Sequence, residues 1–168
     1  MTDVKTFEQS PERCILEAMK NTRAVMLGNP AQGRTFQPMS PQVDVETGEV
    51  FFFASKDADI VQGVQDGAQT CTLILVSKDF DLFASIEGEL GENPDPDTMD
   101  KFWTPTTAAW FEKGRDDPKL TLLQFTPSDA AAWASSGDPY AFAWQIAKAN
   151  LTEDTPNVGA RATARFAA

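Results

Sequence analysis

The chain has 168 residues, 42% of them hydrophobic, and its 14 Lys and Arg stand against 25 Asp and Glu for a formal net charge of -11 at pH 7. That length suffices for one domain with its own core, and the acidity argues against a nucleic-acid or anionic-membrane partner, which needs clustered cations to displace counterions. The chain has no histidine, which excludes Ser-His-Asp and Cys-His nucleophiles, His-ligated zinc and imidazole acid–base chemistry.

Met1-Thr2-Asp3-Val4-Lys5-Thr6-Phe7-Glu8 is polar and lacks the apolar stretch of a secretory signal, and no run approaches membrane-spanning length. Cys14 and Cys71 stand outside any CxxC pattern and read as two reduced thiols of a cytoplasmic protein. The Asn150-Leu151-Thr152 sequon is then a chance match.

Ser10-Pro11-Glu12 is a helix start, with a cap residue before proline, and Cys14, Ile15, Ala18 and Met19 continue it on one face over 11 to 20. Arg23 to Leu27 is a short strand that turns through Gly28-Asn29-Pro30 and Gly33 into another beginning near Arg34, as in a hairpin. Val50 to Ser55 is bulky enough for a strand buried on both faces, and a helix starts over Lys56 to Asp59.

Thr70 to Val76 forms the next strand, followed by a polar turn at Lys78-Asp79. In the segment after it, apolar Leu82, Ala84, Ile86, Gly88 and Leu90 alternate with Phe83, Ser85, Glu87 and Glu89, so only one face meets a core. Pro94 to Asp97 opens a helix to about Trp103, Lys119 to Phe125 is a strand, and Ser128-Asp129 caps a short helix through Trp133. Tyr140 to Ala149 is helical, and Ala160 to Phe166 has the makings of a short strand. Sequential strands with short interrupting helices predict a mainly β, antiparallel barrel with peripheral helices in a single domain over 1–168.

No Gly-rich phosphate loop is present, and the Asp95/Asp97 and Asp116-Asp117 pairs sit beside prolines where Asp caps or turns rather than binds metal. No metal site and no protein catalytic residue are therefore assigned. Two features point further. The strand Phe51-Phe52-Phe53 ends in Ser55-Lys56, a hydroxyl and a cation before a helix start, which suits either a phosphate or an ordinary helix cap. Three of the four tryptophans, Trp103, Trp110 and Trp133, flank an acidic turn, where such side chains cover a core, a subunit interface or a planar ligand.

The segment Phe102-Trp103-Thr104-Pro105, Trp110-Phe111, Gly114-Arg115-Asp116-Asp117-Pro118-Lys119-Leu120-Thr121-Leu122-Leu123 and Trp133 resembles the general stress protein branch of the pyridoxamine 5′-phosphate oxidase-like, FMN-binding split-barrel proteins. The resemblance extends through Gln37-Pro38-Met39, the Phe-rich strand with Ser55-Lys56-Asp57, and Asp81 to Gly88, covering about residues 10–135. It implies a six-stranded antiparallel Greek-key split barrel that forms a homodimer with FMN, or another small planar ligand, at the subunit interface. Gln37, Pro38 and Met39 would lie beside the flavin, Phe53, Ser55 and Lys56 at the phosphate and ribityl corner, and Trp103 and Trp110 in the aromatic wall.

Many members carry Arg-Pro-Met where this chain has Gln37-Pro38-Met39, and a Thr-x-x-Asp-Ser-x-Lys pattern where it has Ala54 to Ile60. The phosphate thereby loses charge-assisted bonds worth roughly 1.5–3 kcal/mol each, with Arg34 and Lys56 left to compensate in part. The resemblance implies a flavin-dependent oxidoreductase acting on an unknown substrate. Its alternative is a non-catalytic split-barrel dimer that sequesters a ligand or binds another protein.

Overall fold

A computed structural model describes residues 4–33, 35–135, 148 and 159–166. The expected helix at Tyr140 to Ala149, apart from Lys148, lies outside the described residues, as does Arg34. Among the described residues eight strands form one antiparallel sheet: β1 (Val25–Gly28), β2 (Gln37–Met39), β3 (Gln42–Val43), β4 (Val50–Ser55), β5 (Gln69–Val76), β6 (Leu82–Glu92), β7 (Leu120–Ser135) and β8 (Gly159–Arg165). They pair in the order β2-β1-β5-β6-β7-β4-β3, and β8 joins β7. The sheet curls into the half-barrel that the sequence implied, with β3 added to the expected set and β8 formed where Ala160 to Phe166 suggested a short strand.

The long β7 organises the curl. One edge pairs with β6 from Leu123 to Ala134, while the other meets β4 over Leu120 to Phe125 and then β8 over Asp129 to Ser135. The change of partner coincides with a bulge in which Glu87 faces Asp129 and Gly88 faces Pro127, leaving Ser128 as the extra residue. Ser128 Oγ donates to the Glu87 carbonyl across it at 3.1 Å.

The alternation predicted for Leu82 to Leu90 is present, with Leu82, Ile86 and Leu90 fully buried against Leu73, Leu75, Phe52 and Phe125. Helices α1 (Val4–Gln9) and α2 (Pro11–Lys20) close this core with Phe7, Ile15, Leu16 and Met19, and the short α3 (Asp59–Gln62) after β4 adds Ile60 and Val61. β4 is buried on both faces, as its bulk requires: Phe52 enters the core while Phe51 stacks on Phe102 at 5.0 Å. The outer sheet face leaves Met26, Phe83 and Trp133 exposed, with the Arg161 guanidinium over the Trp133 ring.

One element differs from the sequence reading. The short helix expected from Ser128 through Trp133 is instead the second half of β7. A Ser-Asp pair before an alanine run satisfies helix capping and propensity locally, but Ala130, Ala132 and Ala134 alternate into the core opposite Ile86, Ala84 and Leu82. Pairing on both edges of the strand outweighs a propensity difference of under about 1 kcal/mol per residue.

A candidate flavin cleft between the aromatic wall and the first hairpin

Beyond the barrel core, α4 (Pro96–Phe102) and α5 (Pro105–Ala108) lie over β4. Asp95 caps α4, accepting from the Thr98 backbone N–H at 3.0 Å and its hydroxyl at 2.6 Å. Thr104 caps α5, accepting from the Thr107 N–H at 3.1 Å. Between these caps Trp103 turns back onto β4, meeting Phe53 edge-on at 5.4 Å and Phe111 at 6.4 Å. The result is an aromatic wall fastened at two helix starts.

A salt bridge fastens α4 from the other side. Lys101 Nζ donates to Asp44 Oδ2 at 2.5 Å, and the same carboxylate side chain accepts from the Glu46 and Thr47 amides in the turn before β4. Gly48 completes that turn at φ +79, a conformation that favours glycine. The Lys101 hydrogen bond, with the two amides, holds the Asp44 carboxyl below its ordinary 3.8. Asp44→Asn is expected to cost about 0.2–1 kcal/mol at neutral pH, because Lys101 is largely exposed and the pair is screened. A carboxyl with a lowered folded value contributes above its unfolded pKa and loses that contribution as pH falls through the folded one. The gap between parent and variant should accordingly close below 3.8, in urea unfolding measured at neutral and acid pH.

Between this wall and the β1–β2 hairpin lies a cleft of about 610 Å³, within the range of small-molecule and cofactor sites. Pro38, Met39, Phe53, Ser55 and Trp110 line it. Gln37 does not; its Nε2 lies 3.4 Å from the Met39 sulfur on the same strand. Trp103 stands behind Phe53 as support, and Lys56 is exposed away from the lining. The Lys56 amide donates to the Lys119 carbonyl at 2.7 Å, and Lys119 Nζ pairs with Asp57 at 3.1 Å, so this corner is tied to the start of β7.

The charge on the lining comes from a residue that sequence reasoning passed over. Arg23, just before β1, reaches the cleft and is the one charged residue among the described residues lining it. Ser40, Ser55, Thr104, Thr106 and Thr107 add hydroxyls. Ser40 Oγ also donates to the Arg23 carbonyl at 2.8 Å, which joins the two sides of the hairpin at the cleft edge. In a chain this acidic, a lining without a carboxylate among the described residues is a distinct electrostatic environment. Trp110 stands at its edge, 82% exposed.

The model of the family described as pyridoxamine 5′-phosphate oxidase like matches residues 11–157. The chain belongs to the pyridoxamine 5′-phosphate oxidase-like family. No curated protein matches it. Among solved structures it is similar to a candidate general stress protein 26 of Jannaschia sp. CCS1, at 34% identity over 95% of this chain and 99% of that one, with a TM-score of 0.83. A candidate general stress family protein of Xanthomonas campestris pv. campestris is 36% identical over 76% of this chain and 90% of that chain, with a TM-score of 0.66. A protein of Xanthomonas citri described as a general stress FMN/FAD binding protein is 34% identical over 75% and 89% of the two chains, with a TM-score of 0.68. These likenesses join this family member to the general stress protein branch. No helix among the described residues is long and apolar enough to cross a membrane.

Proposed function

We propose that this chain is an FMN-binding oxidoreductase whose flavin occupies the cleft between the first hairpin and the aromatic wall. The observation that carries the reading is the lining itself, which among the described residues has an apolar side, one guanidinium, several hydroxyls and no carboxylate. Those groups fit a planar ring with a phosphorylated polyol tail. Phe53, Pro38 and Met39 would face the ring, while Arg23 and the hydroxyls of Ser40 and Ser55 would hold the tail. The bound flavin would supply the electron transfer. The chain's own residues would bind and orient it, and the apolar wall would exclude water from its face.

The reading extends to a cytoplasmic homodimer. Trp110 is 82% exposed at the cleft edge, and Pro38 on the lining pairs in register with the exposed Met26 on the outer sheet face. Each large apolar side chain left in water forgoes roughly 1.5–3 kcal/mol of burial, which a second copy would recover. Trp110→Ser is expected to shift sedimentation equilibrium toward monomer while moving thermal stability by less than about 0.5 kcal/mol. A parent chain that sediments as a monomer at micromolar concentration would remove the dimer.

A second reading, ligand sequestration without turnover, is favoured by the same lining: apart from Arg23, none of the described residues on it carries a titratable side chain. One experiment separates the two. Purified protein titrated with FMN should show the perturbed absorbance of bound flavin, and that flavin should be reduced by NADH or NADPH. Binding without reduction selects sequestration, and an unperturbed spectrum at high micromolar FMN sinks both.

A further inference from the structure

A second cleft, of about 560 Å³, opens at the C-terminal end of α2. It shares Arg23 and Ala24 with the first, so the two meet along one short wall. Lys20 comes to it from α2, Arg23 from the approach to β1, and Lys78 and Phe80 from the turn between β5 and β6. Among the described residues no carboxylate lines it, although Asp and Glu outnumber Lys and Arg by 25 to 14 in the chain. None of the three cations belongs to an ion pair among the described residues. The end of α2 opposes an anion there with about half a negative charge, which three full positive charges outweigh.

Phe80 gives the cleft its second character. Its ring is 72% exposed, and its backbone sits at φ +56, where a bulky residue is strained. The turn that holds it is rigid. Ser77 Oγ donates to Asp81 Oδ1 at 2.7 Å and accepts from the Asp81 and Leu82 amides, while the Phe80 amide donates to the Ser77 carbonyl at 3.0 Å. Asp81 is thereby turned inward and buried, and Asp79, exposed beside Phe80, is not on the cleft lining.

We propose that this second cleft binds the adenosine phosphate part of a nucleotide, with the phosphates on Lys20, Arg23 and Lys78 and the base stacked on Phe80. Two sources share that chemistry. One is the adenosine half of FAD, extending past Arg23 from a flavin in the first cleft, and this source rests on the flavin reading above. The other is a separate adenine nucleotide, which does not.

The test is calorimetric titration of the full chain with ADP, with inorganic phosphate as the reference probe, and with FMN and FAD in parallel. ADP is expected to bind more tightly than phosphate and to weaken about tenfold in Phe80→Gly and in Lys78→Glu. Phe80→Gly suits the left-handed backbone, so a retained melting temperature shows that it remains folded. ADP that competes with FAD but not with FMN identifies the dinucleotide source; ADP that still binds the FMN-loaded protein without FAD preference identifies a separate nucleotide. A protein that takes no flavin yet binds ADP with this variant sensitivity keeps the second site and ends the flavin reading. ADP binding no tighter than phosphate, or unchanged in both variants, overturns the proposal.

Discussion

Arg23→Gln is expected to weaken FMN binding roughly ten- to a hundredfold, the loss of one charge-assisted phosphate contact worth about 1.5–3 kcal/mol. Arg23 is the charged residue on the lining of the first cleft. Lys56, the cation nearest to the Phe-rich strand in sequence, is exposed off that lining. Lys56→Gln should therefore change affinity by only a few-fold, as expected of a screened surface charge. Riboflavin, which lacks the phosphate, supplies the internal control. Its affinity should be nearly equal in parent and Arg23→Gln protein when both are followed by quenching of flavin fluorescence. Equal losses for FMN and riboflavin would show that Arg23 shapes the cleft without holding the phosphate, and a larger loss in Lys56→Gln would return the phosphate to the Ser55 corner.

The contrast between Arg23 and Lys56 shows where the sequence was readable. Alternation from Leu82 to Leu90 specified an edge-to-core direction for β6, and the structure buries those residues. The bulk of Phe51, Phe52 and Phe53 specified a strand covered on both faces, and α4 supplies the outer cover through Phe102 and Trp103. The resemblance, however, implies one phosphate and ribityl corner for Phe53, Ser55 and Lys56 together. Ser55 is on the cleft lining, yet the next residue, Lys56, is not, because β4 ends at Ser55 and the chain turns away at Lys56, whose amide is held by the Lys119 carbonyl. Arg23 comes from the approach to β1, whose place beside β2 is set by sheet pairing. Nothing local in Arg23-Ala24-Val25 distinguishes a cleft cation from a solvated one.

The alanine run after Ser128 failed for a related reason. Alanine satisfies helical and alternating patterns equally, so period carries no information there. The decision is made by the neighbouring strands: β6 and β8 offer hydrogen bonds on both edges, and the alternate small side chains fit beneath the buried row of Leu82, Ala84 and Ile86. The same nonlocality governs the charge pattern of the molecule. A sequence with excess acid predicts an acidic average surface, but pairing brings Arg23 to the junction of two clefts whose linings hold no carboxylate among the described residues. Local potential, rather than net charge, decides whether a phosphate can bind.

Gly88→Ala is expected to be among the most destabilising single-methyl additions in the barrel, by about 2–3 kcal/mol, or roughly 5–10 °C in melting temperature for a chain of this size. A Cβ at Gly88 would overlap the Thr126 carbonyl oxygen and approach the Phe125 ring tip at 2.7 Å and the Pro127 Cα at 2.9 Å. The first and last of these are backbone, and Phe125 is fully buried, so no flexible side-chain end can yield. Glycine is required here for close approach at the bulge, where β7 leaves β4 and takes up β8. Gly91→Ala on the same strand isolates that cause: its Cβ would meet only Ala68, at 3.3 Å from the neighbouring Cβ. That variant should lose less than about 1 kcal/mol. Because β7 also carries β4, and β4 places Phe53 and Ser55 on the cleft lining, displacement at the bulge should reach the flavin site as well. Differential scanning calorimetry of both variants, with FMN titration of the folded fraction, checks the pair; equal melting temperatures for Gly88→Ala and Gly91→Ala would show that the bulge relaxes without cost.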